Sequence, residues 1–352
     1  MLLFFIMTYI PIKVAQSTID ANVPHFNNNR VNGISVLLMS DCNLNCDFCL
    51  ERFYESDKGD PYSYTHLIQH QKYNTLPKQL TIENIIKAQD NVRLVINRLG
   101  NGTEKYSFSL LGGELFQDKY EQDVFDQYTK LIASTFDIIN KNGGQCRWNL
   151  MTNLITKHPQ RIIYLASKYS PLVVINASFV FKGRFKSQKV IDLWMKNIQA
   201  VKQSGVRYCV IMCMSKPNIQ AIINDDKDWI DLYNNHPIRL EQFQDVGDSQ
   251  YKPSTDTLTQ LYIKLHQCYP NVLNIGKQSQ FFASCVSVFP DSISWQCCDH
   301  TAMMNKFHQA KMCLACEYFT DCELQDCYLV NDMSTTDCHI KRYKEYLNKH
   351  VY

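Results

Sequence analysis

The sequence predicts an α/β protein, a partial (β/α)6 TIM-like barrel followed by a small Cys-rich C-terminal domain. Three observations predict it. Strand-like apolar runs alternate with helically spaced apolar stripes six times between residues 34 and 243. Polar residues (Glu114, Asn153, Ser178, Ser215) stand at the ends of these runs, where a barrel of parallel strands gathers its functional groups at one mouth. Eight of the fifteen Cys lie between 285 and 338. The expected divisions are an N-terminal extension at 1–33, the barrel at 34–250 and the Cys-rich domain at 251–352. A chain of 352 residues suits one large domain with a small one.

Each element has its own signal. Ile34 to Met39 is a continuous apolar run, expected as a strand buried on both faces. A Cys-bearing loop follows at once, and residues 52–80 are polar and read as loop with partial helix. Thr81 is positioned to cap a helix whose apolar residues are Ile82, Ile85, Ile86, Val92 and Ile96, ended by Gly100 and Gly102. Tyr106 to Leu111 is the second strand. Lys119 to Ile139 is the second helix, with Val124, Tyr128, Leu131, Ile132 and Thr135 on one face. Gly143-Gly144 turns the chain into a third strand, Arg147 to Met151. A helix near Arg161 to Lys168 leads to a fourth strand, Leu172 to Ser178. Val190, Trp194, Ile198 and Val201 mark a helix stopped by Gly205, before a fifth strand, Val206 to Met214. A helix at Trp229 to Tyr233 precedes the sixth strand, Ile238 to Phe243.

Composition narrows the function classes. A hydrophobic content of 45% supplies a large core, and a net charge of +2 gives no basis for bulk electrostatic binding of nucleic acid or an anionic membrane. The apolar start Met1 to Met7 lacks a basic flank and a small-residue cleavage site, and is too short to span a bilayer. A cytoplasmic protein is expected, in which closely spaced Cys serve as ligands more often than as disulfides.

The chemistry begins at Ser40-Asp41-Cys42-Asn43-Leu44-Asn45-Cys46-Asp47-Phe48-Cys49. Three thiolates on one short loop can hold three corners of a cubane [4Fe–4S] cluster and leave its fourth iron open to a ligand. Structural zinc is the alternative, but it wants four ligands, and no His or fourth Cys lies close to this triplet. Gly112 and Gly113 let the backbone approach a ligand closely, and Glu114 then offers a carboxylate to a cationic group. An ordinary strand-end turn with a solvated Glu would look the same in isolation.

On these residues the chain resembles the radical S-adenosylmethionine family. The Cys triplet, with aromatic Phe48 before its last member, is similar to that family's signature. Leu111-Gly112-Gly113-Glu114 resembles its Gly-Gly-Glu turn, Met151-Thr152-Asn153 its Thr-Asn after the third strand, and Ala177-Ser178 the Ser of the fourth. The matches span about residues 34 to 215. The resemblance implies that Cys42, Cys46 and Cys49 hold a catalytic [4Fe–4S] cluster. The open iron would chelate S-adenosylmethionine, with Phe48, Gly112, Gly113, Glu114, Asn153 and Ser178 around the cofactor. One electron then cleaves the sulfonium and releases a 5′-deoxyadenosyl radical that abstracts hydrogen from the substrate. The family often carries an Asp two residues after the Ser; here that place is Val180.

The C-terminal Cys form a second constellation, for which a disulfide frame and a zinc site remain alternatives. Cys313-x2-Cys316-x5-Cys322-x4-Cys327-x10-Cys338 resembles the SPASM extension of radical enzymes, and the stretch from Cys285 to Cys297 resembles the hairpin before it. The fourth gap is one residue longer than in that pattern, and Ser292 replaces the usual Gly. The resemblance implies one or two auxiliary [4Fe–4S] clusters. Cys313, Cys316, Cys322 and Cys338 would close one; Cys285, Cys297 or Cys298, and Cys327 would hold the other, with Cys268 a further candidate. Cys146, Cys209 and Cys213 fall in strand patterns and are expected as buried apolar residues.

The expected activity is therefore hydrogen abstraction by a radical S-adenosylmethionine oxidoreductase or maturase acting on a peptide or protein. Crosslinking, epimerisation and oxidation are the implied outcomes, with flavodoxin or ferredoxin as the low-potential electron donor. A dehydrogenase or epimerase of a sugar, aminocyclitol or other small molecule is the alternative. Only some 33 residues precede the first strand, against about eighty in the leader-binding domain that peptide maturases often carry, and this favours that alternative. A non-catalytic iron–sulfur carrier or zinc-stabilised binding protein belongs to another class, and neither needs a Gly-Gly-Glu mouth.

Overall fold

The computed structural model describes residues 31–47, 76–241, 249–269, 272, 282–294 and 339–350. In chain order the elements are β1 (Val31–Leu37), α1 (Ile82–Arg98), β2 (Lys105–Leu111), α2 (Gln122–Lys141), β3 (Gln145–Thr152), α3 (Gln160–Lys168) and β4 (Val173–Phe179). They continue with α4 (Gln188–Gln203), β5 (Tyr208–Cys213), α5 (Lys216–Ile223), α6 (Lys227–Asn235) and β6 (Ile238–Glu241). A 3-10 turn (Ser249–Tyr251), α7 (Thr255–Cys268), β7 (Phe282–Val288), β8 (Ile293–Ser294) and α8 (His339–His350) complete the set.

The six strand–helix alternations fold as expected into one sheet whose order is β6-β5-β4-β3-β2-β1-β7-β8. Strands β1 to β6 pair in parallel with their chain neighbours. β7 adds to the free side of β1, also in parallel, and β8 closes an antiparallel hairpin on it. Because β6 and β8 lie at opposite edges, the sheet is an open α/β barrel rather than a closed ring. The hairpin expected after Cys285 is thus present, and its first strand belongs to the barrel sheet. On the outer layer α7 packs against α5 and against α8.

The two faces of the sheet differ. Tyr106, Phe108 and Leu110 of β2, Trp148 and Leu150 of β3, and Ile175 and Ala177 of β4 enter the core beneath the helices. Phe108 stacks on Trp148 at 4.7 Å between ring centroids. The alternate positions carry Ser107, Arg147, Asn149 and Asn176, linked by hydrogen bonds from Arg147 Nε to Ser107 Oγ (3.0 Å) and from Asn176 Nδ2 to Asn149 Oδ1 (3.3 Å). Over β2 to β4 this inner face is therefore largely polar, unlike a sheet buried by apolar side chains on both sides. β1 is a partial exception. Ile34 and Val36 join the main core, while Leu37 meets Leu76, Phe289 and Leu111 in a small cluster of its own.

The helices follow their apolar stripes. Thr81 caps α1, its side-chain oxygen accepting from the Asn84 N–H at 3.2 Å. Ile85, Ala88, Val92, Val95 and Ile96 are buried, but Ile86 is 44% exposed, because it lies one step (about 100°) off that stripe. All five residues expected on the buried face of α2 are buried. α5 was not expected; it is a short helix opened by Ser215 and Pro217. No helix among the described residues is long and apolar enough to cross a membrane.

Candidate active site

The loops after β1, β2, β3 and β4 converge at the C-terminal ends of the strands. Cys42 is half-buried and Cys46 buried in the loop after β1, and neither forms a disulfide. Phe48 and Cys49 lie outside the described residues. The Gly112-Gly113-Glu114 turn is bonded directly to this loop: the Gly113 N–H donates to Met39 O and the Glu114 N–H to Asp41 O, both at 2.9 Å. The contact leaves no room for a side chain. A Cβ on Gly113 would lie 1.8 Å from Asp41 O, and Gly112 adopts φ +149 beside the Met39 carbonyl.

Glu114 is 2% exposed, so the solvated-turn alternative does not describe it. Its Oε1 accepts from the Phe116 N–H (3.0 Å) and the Thr152 hydroxyl (2.9 Å), and its Oε2 from the Asn153 N–H (2.5 Å). Burial pushes Glu114 up to about 6, against those hydrogen bonds and the positive charge of Arg184. A buried carboxylate held this way can accept a cation.

Asn153 stands just past β3. Its Nδ2 donates to Asn43 Oδ1 (2.7 Å) and approaches Cys42 Sγ at 3.7 Å, while Asn43 Nδ2 donates to Ile155 O (2.7 Å). The β3 loop thereby fixes the middle of the Cys loop. Ser178, near the end of β4, donates from Oγ to Thr152 O (3.1 Å) and accepts from Arg184 Nη1. Val180, where the family's Asp often stands, packs with Cys46 and Tyr251 and provides an apolar wall behind the loop. Ser215 opens α5 with its hydroxyl fully buried and without a hydrogen-bond partner among the described residues.

Several contributors were not recognised in the sequence. Arg184 brings a guanidinium to Ser178 and to the electrostatic field of Glu114. Its signal is the basic stretch Lys182, Arg184 and Lys186 following β4. Asp41, beside Cys42, accepts from Gln117 Nε2 (2.9 Å) and pairs with Lys119. Burial opposes its charge, but the hydrogen bonds from Lys119 and Gln117 outweigh burial and hold its carboxyl below the ordinary value. Cys146 is buried as expected, whereas Cys209 and Cys213 are only half-buried. Cys285 lies in β7, and Cys297, Cys298, Cys313, Cys316, Cys322, Cys327 and Cys338 lie outside the described residues.

Fold and site together define an open α/β barrel whose mouth carries two thiols outside any disulfide, a buried carboxylate and a guanidinium on adjoining strand ends. Solved structures share this fold. Native anSMEcpe with bound AdoMet superposes with a TM-score of 0.56 at 15% identity, covering 90% of this chain and 96% of that one. A hexahistidine-tagged form with bound AdoMet gives 0.57 at 15% identity, covering 90% and 92%. AnSMEcpe with bound AdoMet and the Cp18Cys peptide gives 0.53 at 14% identity, covering 90% and 96%. No protein-family model and no curated protein matches the chain.

Proposed function

We propose that the protein is a radical S-adenosylmethionine enzyme. The observation that carries this reading is the direct bonding of the Gly112-Gly113-Glu114 turn to the Cys42–Cys46 loop, with Glu114 buried and aligned. The residues fit the group they would hold. Cys42 and Cys46 stand outside any disulfide, the approach at Gly113 admits no Cβ, and Glu114 is a desolvated acceptor suited to a cation. Cys42, Cys46 and Cys49 would ligate a [4Fe–4S] cluster. When bound, the cluster and S-adenosylmethionine supply one-electron cleavage of a sulfonium to a 5′-deoxyadenosyl radical.

The chain's own groups bind and orient. Glu114 accepts hydrogen bonds from the cofactor's ammonium, and ionises fully as that charge arrives. Arg184, held by Ser178, suits the cofactor's carboxylate. Asn153 orders the Cys loop through Asn43, and Val180 excludes water behind Cys46. A peptide or protein substrate is favoured because the anSMEcpe fold is also found with bound Cp18Cys and Kp18Cys peptides at 90% coverage of this chain. The C-terminal Cys set would hold auxiliary clusters that pass electrons from a flavodoxin or ferredoxin.

Anaerobic reconstitution with iron and sulfide tests the assignment. A protein carrying at least four irons and equivalent sulfide, with a reduced-state EPR signal altered by S-adenosylmethionine, is expected. Zinc uptake without sulfide would contradict it.

A further inference from the structure

We propose that Tyr251 is a positioning residue for the Cys loop: its hydroxyl fixes Asp47, and through Asp47 the backbone that carries Cys46. The inference rests on reading that loop as a cluster site. Asp47 follows Cys46 directly and is held from two later segments of the chain. Its N–H donates to Gly183 O at 2.9 Å, its Oδ2 accepts from the Tyr251 hydroxyl at 2.7 Å, and its Oδ1 pairs with Lys186.

Between the tyrosine and lysine contacts, the tyrosine one carries the restraint. Lys186 is 54% exposed, so its ion pair is screened and its long side chain gives little orientation. Tyr251 is 8% exposed and packs against Cys46 and Val180. Gly183 also lies against the ring. A Cβ there would lie 2.7 Å from the ring, and φ of +86 also favours glycine. The ring thus covers Cys46, and the hydroxyl holds the carboxylate of the residue that follows it. At the other end of the loop, Asp41 is held in a similar way by Gln117 and Lys119. The loop is therefore anchored on both sides of Cys42 and Cys46, and a cluster site needs that preorganisation if its ligands are to meet at one centre.

If Tyr251 only filled space, phenylalanine would serve equally well. The test is therefore Tyr251→Phe, with Asp47→Asn and the double variant. In metal-free protein under native conditions, iodoacetamide labelling of Cys46 is followed by peptide mass spectrometry, with the buried Cys146 of β3 as internal reference. Loss of a hydrogen bond to a charged acceptor should speed Cys46 labelling about tenfold or more, with Cys146 unchanged. The double variant should be no faster than the faster single one. In iron-loaded protein the reduced-cluster EPR signal should change shape in Tyr251→Phe. A wild-type Cys46 labelling rate, an equal acceleration of Cys46 and Cys146, or an unchanged EPR signal would overturn the positioning role. Faster Cys46 labelling in a protein that takes up no iron would uphold it and overturn the cluster reading instead.

Discussion

Replacing Glu114 by Gln should remove a pH dependence from the stability of the ligand-free protein. Glu114 is raised from 4.5 to about 6 by burial. The folded state therefore favours the protonated carboxyl, and this stability is fully present below the unfolded value of 4.5 and lost as pH rises through about 6. The shift of about 1.5 units corresponds to about 2 kcal/mol, lost between about pH 4 and about pH 7.5. In the Gln variant the group does not titrate. An amide also leaves one of the donors now aimed at Glu114 without an acceptor, which costs about 1–3 kcal/mol but hardly varies with pH. Urea denaturation of metal-free wild type and Glu114→Gln across that window isolates the effect, because every other titrating group is common to both. The difference between the two stabilities should change by about 2 kcal/mol in the variant's favour as pH rises. Parallel curves would refute the reasoning and mean that Glu114 is solvated or otherwise neutralised.

Other expectations follow from the same geometry. Gly113→Ala, whose Cβ would fall 1.8 Å from Asp41 O, should displace the Cys loop, lower stability by about 1–3 kcal/mol and reduce iron retention, measured by denaturation and iron assay. Arg184→Ala should weaken S-adenosylmethionine binding roughly tenfold or more by calorimetry, the effect of losing a charge-assisted contact. Fully reconstituted protein should hold roughly twelve irons with two auxiliary clusters, or about eight with one. About four irons, with zinc bound by the C-terminal Cys, would remove the auxiliary clusters and leave the barrel site standing.

The order of strands and helices was legible because each outer strand face and inner helix face repeats with its own period. Tyr106, Phe108 and Leu110 show the strand period, and Val124, Tyr128, Leu131 and Thr135 the helical one. Glu114 and Asn153 were legible as motif residues beside glycines and strand ends. Pairings between distant segments were not. Lys119 meets Asp41 across 78 residues and Tyr251 meets Asp47 across 204, and no local pattern encodes either. The parallel pairing of β7 with β1 was hidden for the same reason, since Cys285 to Cys297 reads locally as a free-standing hairpin. The polarity of the inner face was visible as single residues such as Asn149 and Asn176, but not as a shared surface until the register aligned them.

The most direct measurement is 5′-deoxyadenosine formation by anaerobically reconstituted protein given S-adenosylmethionine and dithionite. The wild type should produce it. The Cys42→Ala, Cys46→Ala, Cys49→Ala triple variant should produce none while retaining the absorbance of any C-terminal clusters. Equal production by the triple variant, or none by an iron-loaded wild type, would contradict the assignment of this barrel mouth to radical S-adenosylmethionine chemistry.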